Sequence, residues 1–413
     1  MSGAISDLSA RAILDSRGNP TVEVDCYVDG RMQGRAAVPS GASTGSYEAI
    51  ELRDGGDEWA GKGVASAVAN VNGEIREALI GMDVADQEGI DAILVSLDGT
   101  QNKARLGANA MLGVSMACLK AAAPGALWQH IAGEGPSSVP VPQMNILNGG
   151  AHAASNVDIQ EFMVVPHGFD SFPDALRAGV EIYHSLKAVL KEEGLLGGIG
   201  DEGGFAPNLS RNEDGLRLVL TAISGAGYTP GQQVSIALDC AAQEFCHDDG
   251  YHIDGSVLSG SELGQLYSSW LDTYPLVSLE DAFGEDDWEA WSEFTGREGH
   301  RVQVVGDDLY VTNPTRLSKG IAEGASNAIL IKLNQIGTVS ETMRVIEMAR
   351  SAGFSTIISH RSGETSDHMI SDLAVGSNAG QIKTGAPARS DRTAKYNQLI
   401  RINEQCQNYA DLF

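Results

Sequence analysis

Cysteine and long apolar runs are both scarce in this sequence of 413 residues. Its 5 cysteines form an odd, scattered set without a CxxC pair, which is typical of reduced thiols and argues against a disulfide framework. The nearest approach to the ~18 apolar residues of a membrane span is 106–119, but Asn109 and Ser115 interrupt it, so a buried helix is predicted there. The N-terminus has no basic segment followed by an apolar one. No secretory signal is therefore expected, and a cytoplasmic protein is predicted.

Positive charge is also in deficit. The chain has 28 Lys and Arg against 55 Asp and Glu, a formal net charge of −27. So acidic a surface repels phosphate backbones and anionic lipid, and neither direct nucleic-acid binding nor membrane binding is expected. Apolar residues at 42% and charged residues at 20% are ordinary for a globular protein and exclude a disordered chain.

Two patterns divide the chain. The first third combines strand-like stretches such as 21–28 with helical periodicity and a Gly- and Ser-rich loop at 39–46. The segment 133–142 concentrates Gly, Pro and Ser, which is typical of a linker. The sequence therefore predicts an N-terminal α+β domain over residues 1–134 and a second domain over residues 139–413.

Short apolar runs alternate with amphipathic stretches in the second domain. Buried strands separated by helices predict a parallel sheet, and at least six such units in about 270 residues favour a (β/α) barrel over an open sheet. Each run ends in a polar or ionisable residue. These residues are Asp239, Glu280, Asp307, Lys332, His360 and Lys383.

Strand ends of a barrel face one side, so these six side chains are expected to converge. Asp239, Glu280 and Asp307 offer only oxygen ligands, and neither His nor Cys accompanies them at zinc spacing, which favours Mg²⁺ over zinc. A helix cap or a surface ion pair is the alternative for any single acid. Three acids at successive strand ends, followed by a lysine on the next strand, are harder to explain that way.

Lys332 lies between Ile331 and Leu333 in one of the apolar runs. Such a lysine is either the partner of a neighbouring acid or a desolvated amine. Desolvation would lower its pKa toward the ~7–8 that suits a general base.

Two further segments carry candidate chemistry. In 359–365, Arg361 and Ser362 suit a phosphate or a carboxylate, although a surface turn would have the same composition. In the Gly-rich segment 198–208, Glu202 suits a general acid that burial keeps protonated. The loops 39–46 and 149–156 are interpreted as lids over a ligand.

Long motifs along essentially the whole chain resemble those of enolases, in the same order and at the same spacing. They include DSRGNPTVEV (15–24), VPSGASTGSYEAIELRDG (38–55), LDGTQNKARLGANAMLGVS (97–115), GDEGGFAPN (200–208), EDAFGEDDW (280–288), VGDDLYVTNP (305–314), IKLNQIGT (331–338), SHRSGET (359–365) and IKTGAPARSDRTAKYNQL (382–399).

The resemblance implies an α/β protein in which an N-terminal α+β capping domain with a lid loop precedes a modified (β/α)8 TIM-type barrel. It implies a hydro-lyase of glycolysis and gluconeogenesis that reversibly dehydrates 2-phospho-D-glycerate to phosphoenolpyruvate. That reaction removes the C2 proton and then the C3 hydroxyl through a metal-stabilised enolate. The resemblance also implies a cytoplasmic homo-oligomer, a dimer or an octamer, with a surface or secreted fraction in some members.

Carried over residue by residue, the resemblance makes Lys332 the base at C2 and Glu202 the acid at C3, with Glu161 behind it. Two Mg²⁺ ions are implied, the second arriving with the substrate. The implied ligands are Asp239, Glu280 and Asp307 for the first ion and Ser40 for the second. The implied substrate contacts are His152, Gln160, His360, Arg361, Ser362 and Lys383.

Two alternatives stay open at this point. A racemase or cycloisomerase of the enolase superfamily would share the three-acid metal site. The phosphate contacts of Arg361 and Ser362 and the Ser40 lid argue against it, because those relatives handle unphosphorylated acids. An additional non-enzymatic binding or scaffold role is compatible with intact catalytic positions.

Overall fold

A three-stranded antiparallel sheet opens the fold of the computed structural model, which describes residues 3–41, 45–150 and 155–413. Its strands pair in sequence order, β1 (Ile5–Leu14) with β2 (Pro20–Val28) and β2 with β3 (Arg31–Ala37). Helices cover the sheet: α1 (Ala65–Asn70), α2 (Arg76–Leu79), α3 (Gln87–Asp98), α4 (Ala108–Ala122) and α5 (Leu127–Ala132). A π-helical stretch, Val71–Ile75, joins α1 to α2. This part of the chain is the α+β cap.

Helix α4 is the core of the cap and contains most of the apolar stretch at 106–119. It is buried along almost its whole length and packs on β2 and β3. Its backbone comes closest to the sheet at Gly34, where a Cβ atom would lie 2.0 Å from the carbonyl oxygen of Ala117. None of the helices in the described ranges combines the length and apolar character that a membrane span requires.

The remaining strands belong mainly to a second, larger sheet. In chain order they are β4 (Val141–Asn148), β5 (Glu161–Val165), β6 (Gly198–Ile199), β7 (Phe205–Ala206), β8 (Ser235–Asp239), β9 (Cys246–His247), β10 (Gly250–Ile253), β11 (Ser256–Leu258), β12 (Leu276–Glu280), β13 (Gln303–Gly306), β14 (Ala328–Ile331), β15 (Ser355–Ser359) and β16 (Gly380–Lys383). Strands β9, β10 and β11 form a separate small sheet, and β6 and β7 extend the large one beyond β4.

Eight strands within the described ranges close into a barrel in the order β4, β5, β8, β12, β13, β14, β15, β16, with β16 returning to β4. Neighbouring strands are parallel from β8 round to β4. Strand β5 runs antiparallel to both β4 and β8. The predicted modified barrel is thus confirmed, and β5 is where it departs from a fully parallel one.

The helices of the barrel lie in the connections between strands, except for the last one, which follows β16. They are α6 (Phe172–Glu192), α7 (Asn212–Gly225), α8 (Gly260–Thr273), α9 (Trp288–Glu298), α10 (Pro314–Glu323), α11 (Leu333–Ile336), α12 (Val339–Ser351), α13 (Met369–Gly376) and α14 (Ser390–Asn403). Local sequence fixes several of their starts. Ser259 and Glu262 form a capping box at α8, and Asn313 caps α10 immediately before Pro314.

Polar contacts dock the cap onto the barrel beyond the end of β15. Lys120 of α4 forms an ion pair with Asp367 at 2.6 Å, and the Asp367 carboxylate also accepts the backbone N–H of Ala37 at 3.0 Å. The backbone of Ser40 pairs with that of Gly363. These contacts hold the loop after β3 over one mouth of the barrel.

We predict that Gly34→Ala destabilises the protein by about 3 kcal/mol, because the new methyl group must push α4 away from β3. The matched control is Gly125→Ala, at an exposed glycine where a Cβ meets nothing within 4 Å. Urea unfolding of both variants measures the difference. Equal unfolding free energies for the two would contradict the close approach of α4.

Candidate active site

The six residues predicted at strand ends all lie at one mouth of the barrel. Each is the last residue of its strand or follows it directly: Asp239, Glu280, Asp307, Lys332, His360 and Lys383. Glu161 joins them from the opposite direction. Because β5 is antiparallel, its first residue sits at this mouth, and Glu161 is paired with Asp239 in the ladder. The reversed strand therefore adds an acid that an all-parallel barrel would not have placed there.

One cavity at this mouth collects most of the predicted site residues. Its lining includes Gln160, Glu161, Glu202, Asp239, Asp307, Lys332, His360, Arg361, Ser362 and Lys383, together with Ala241, Asp281, Asp308 and Ser359. Glu280 lies directly beside it, in contact with Lys383. His152 lies outside the described residues, as do parts of both predicted lid loops.

Lys383 sits among the carboxylates. Its Nζ atom is 2.8 Å from Asp239 Oδ2, 2.8 Å from Glu280 Oε1 and 3.3 Å from Glu161 Oε1. Burial by itself lowers the pKa of Lys383, but these carboxylates outweigh burial and raise it well above its usual range. Burial and the charge of Asp239 in turn raise the pKa of Glu280 strongly. The cluster has more negative charge than one ammonium compensates.

This donor set fits a hard divalent cation. The side chains of Asp239, Glu280 and Asp307 are buried and present oxygen atoms only, which is the chemistry that Mg²⁺ prefers. Buried carboxylates at such density require positive charge to remain ionised.

A second group of acids meets closely at the same mouth. Carboxylate oxygens of Asp281, Asp307 and Asp308 all lie within 4.8 Å of one another. The two oxygens of Asp281 accept the backbone N–H groups of Asp307 and Asp308, at 2.9 and 2.8 Å. Both oxygens of the Asp281 carboxylate are thus bonded to the neighbouring backbone. The sequence analysis did not single out Asp281, because it directly follows the more conspicuous Glu280.

Lys332 is largely buried, with 14% of its side chain exposed, and its Nζ atom contacts Asp307 Oδ2. Burial lowers the pKa of Lys332, but the charges of Asp307 and Glu280 prevail over it and the net shift is upward. The expected depression of this pKa is therefore absent. Of the two interpretations that the sequence allowed, the structure shows the ion pair with a neighbouring acid.

Glu202 is held by two other buried side chains. Its Oε2 atom accepts a hydrogen bond from Asn145 Nδ2 at 3.1 Å and lies 3.2 Å from Nε2 of His360. The Nδ1 atom of His360 is 2.5 Å from the guanidinium of Arg392. A guanidinium only donates, so Nδ1 is the acceptor and the ring proton of a neutral His360 lies on Nε2, toward Glu202. Burial lowers the pKa of His360 to about 3, which keeps the ring neutral.

Arg361 connects the cavity to the cap. Its guanidinium donates to both carboxylate oxygens of Glu48, at 2.9 and 3.1 Å, and to Asn334 Oδ1 at 2.9 Å. Gln335 Nε2 bridges the Glu48 carboxylate, at 3.3 Å, and Asp307 Oδ1, at 2.9 Å. The sequence analysis did not single out Glu48. Its position inside the motif at 38–55 could have marked it as a site residue.

Ser40 does not line the cavity with the other predicted residues. Its hydroxyl donates to Glu51 Oε2 at 3.0 Å and accepts from Arg53 at 2.9 Å. Its backbone pairing with Gly363 nevertheless keeps it next to Ser362. Gln160 is closer to the acids and donates to Asp239 Oδ2 at 3.1 Å.

The barrel and this site together are typical of an enzyme that handles a small anionic compound beside a cluster of carboxylates suited to a divalent cation. Two family models match the chain, "Enolase, N-terminal domain" over residues 5–130 and "Enolase, C-terminal TIM barrel domain" over residues 136–412. The enolase of Acidothermus cellulolyticus is 57% identical over 409 residues, which span 98% of this chain and 95% of the relative. The enolase of Natranaerobius thermophilus is 55% identical over 406 residues, with 97% and 95% covered.

The chain belongs to the enolase family. It is accordingly a lyase that dehydrates 2-phosphoglycerate to phosphoenolpyruvate with a divalent metal ion as cofactor. The resemblance inferred from the motifs is confirmed over nearly the full length, which favours this activity over that of a superfamily racemase.

Acid stability should depend on His360. An unfolded histidine binds a proton near pH 6.5, whereas His360 binds one only near pH 3 in the folded protein. Its contribution to stability is therefore fully present above pH 6.5 and is lost as the pH falls toward 3. His360→Asn keeps an acceptor for Arg392 and should reduce the loss between pH 6.5 and 4 by on the order of 3 kcal/mol. Urea unfolding at both pH values measures it, and parallel losses in variant and wild type would contradict the buried neutral ring.

Proposed function

We propose that Lys332 and Glu202 carry out the dehydration at this mouth of the barrel. Lys332 takes the C2 proton on Nζ, and Glu202 gives a proton to the departing C3 hydroxyl, with Glu161 supporting it. The observation that supports this division is that both side chains line one cavity but are held by different partners, Asp307 for the lysine and Asn145 for the glutamate. Separate partners allow a base and an acid to differ in protonation within one site.

Lys332 must be neutral to accept a proton, whereas its partner Asp307 favours the charged ammonium. Lys332 therefore acts as a base only when the charge of Asp307 is shared with another cation. Abstraction of the C2 proton therefore depends on a further cation being bound in the site.

We propose Mg²⁺ as the cofactor, with Asp239, Glu280 and Asp307 as the residues that would hold the first ion. A second Mg²⁺ would arrive with the substrate, with Ser40 as its protein ligand. When bound, the ions would supply positive charge that stabilises the negative charge developing on the substrate carboxylate.

The substrate contacts follow from the charges around the cavity. Arg361 and Ser362 would bind the phosphate, because a guanidinium and a hydroxyl recognise phosphate oxygens well. The others are proposed to be His152, Gln160, His360 and Lys383. Glu48 already engages the fork of Arg361, so it orients this guanidinium toward the cavity and links it to the lid loop.

We also propose the features that lie beyond the site. The two domains span residues 1–134 and 139–413. The chain functions as a homo-oligomer, a dimer or an octamer, in the cytoplasm, and its charge of −27 disfavours nucleic acid and membranes as direct partners.

Lys332→Ala should slow exchange of the C2 proton of 2-phosphoglycerate by a factor of ~10² to 10⁴, since Lys383, the other lysine lining the cavity, is held among carboxylates. Calorimetric binding of Mg²⁺ should persist because the three carboxylates remain. Exchange is followed by NMR in deuterated water. Lys319→Ala, at an exposed lysine of α10 paired with Glu323, is the control. Nearly normal exchange in Lys332→Ala would refute the role of this residue.

Glu202→Gln should slow formation of phosphoenolpyruvate by a factor of ~10² to 10⁴ while C2 exchange stays measurable. The amide oxygen of the glutamine can still accept from Asn145, so the loop keeps its position. Phosphoenolpyruvate is measured by its absorbance and exchange by NMR on the same samples. An equal decline of both rates would show that acid and base are not separate residues.

A further inference from the structure

Asp281 makes four hydrogen bonds to the segments that carry the neighbouring acids, one of them from its own N–H to the carbonyl oxygen of Val305 at 3.0 Å. Its Oδ1 atom accepts from the backbone N–H of Asp307 at 2.9 Å, and its Oδ2 atom accepts from that of Asp308 at 2.8 Å. Its own carbonyl oxygen accepts from the N–H of Ala242 at 3.0 Å. Asp281 is buried, so water does not compete for these bonds.

These bonds begin where the sheet ends. The ladder between β12 and β13 stops at the pair of Glu280 and Val305, so Asp307 lies beyond its last rung. The ladder between β8 and β12 likewise stops at the pair of Asp239 and Glu280. Beyond these last pairs, the Asp281 carboxylate takes the place of the ladder toward the segment after β13. Its carbonyl group does the same toward the segment after β8.

The backbone of Asp281 adopts a conformation that suits this task. Its φ angle is +43°, in the left-handed region that residues other than glycine seldom occupy. In this conformation the side chain reaches the N–H groups of Asp307 and Asp308 at the neighbouring strand end. Such a conformation persists only where surrounding contacts maintain it.

We propose that Asp281 is the positioning residue that fixes the mutual spacing of Asp239, Glu280 and Asp307. The proposal rests on the assignment of these three residues as metal ligands. Like charges drive the three carboxylates apart, and the bonds of Asp281 oppose that separation before any cation arrives. Asp281 thereby raises affinity by organising the ligands in advance, as residues supporting metal ligands do elsewhere.

The test compares Asp281→Asn with wild type. The two N–H groups bond to different oxygens of the carboxylate, so in asparagine the NH2 group would face one of them and that bond is lost. We expect the Kd for Mg²⁺, measured by calorimetry on chelator-treated full-length protein, to rise 10- to 100-fold. At saturating Mg²⁺ the kcat for dehydration should recover toward the wild-type value. Hydrogen exchange should speed up at the amides of Asp307 and Asp308.

Asp287→Asn is the matched control. Asp287 lies on the same connection, where its carboxylate accepts from the N–H of Ala290 at 3.2 Å and from the Tyr251 hydroxyl at 2.6 Å. Loss of these bonds should lower the Tm, whereas the Kd for Mg²⁺ should stay within twofold of wild type. A loss of stability alone is therefore not expected to raise the Kd for Mg²⁺.

Two results would overturn the proposal. One is a Kd for Mg²⁺ within twofold of wild type in Asp281→Asn. The other needs no variant and applies even if that substitution fails to fold: unprotected amides at Asp307 and Asp308 in chelator-treated wild type. Protection of these two amides that appears only when Mg²⁺ is added would also overturn the proposal. It would make Asp281 a metal ligand and not a support for the other ligands.

The variant Glu280→Gln distinguishes a failure of the role proposed for Asp281 from a failure of the metal-ligand assignment on which that role rests. If Glu280→Gln binds Mg²⁺ as tightly as wild type, the ligand assignment itself is wrong. If Glu280→Gln loses Mg²⁺ binding while Asp281→Asn keeps it, the assignment of the three metal ligands holds and only the role of Asp281 is refuted.

Discussion

Repulsion among buried carboxylates is the constraint on which this structure depends. Asp239, Glu280 and Glu161 surround the ammonium of Lys383, and Asp307 holds that of Lys332. Acids so close together and so far from water stay ionised only with compensating positive charge. Lys332 and Lys383, at the ends of strands β14 and β16, supply part of that charge, and the remaining negative charge suits a divalent cation such as the cofactor of the family. The site is therefore built to take up a cation.

The cap takes part in the same electrostatic balance. Its Glu48 enters from the loop after β3 to form a bidentate pair with Arg361, and Gln335 extends this contact to Asp307. Removal of one partner from such a buried pair would leave an uncompensated charge. Arg361 and the carboxylates of the cavity are thus parts of one connected network, and the docking of the cap completes it.

Support of the acids comes from the backbone as much as from charge. The strands fix Asp239 and Glu280 by ladder pairing, but Asp307 lies past the last rung. Asp281 fills that gap with its carboxylate, and Arg392 similarly fixes the ring orientation of His360 beside Glu202. Residues that do no chemistry of their own thus determine where the reactive groups stand.

The sequence by itself determined the order of strands and helices and the presence of an acid or a base at each strand end. Apolar runs with a polar terminus report both facts locally, which is why Asp239, Glu280, Asp307 and Lys332 could be predicted. Tertiary structure alone decided the reversal of β5, which delivers Glu161, and the contacts of Glu48 and Asp281 with residues distant in sequence. It also decided the protonation tendency of Lys332. A lysine in an apolar run suggests a depressed pKa, but its pKa depends on the carboxylate of Asp307 at the end of the neighbouring strand, and no local pattern encodes that distance.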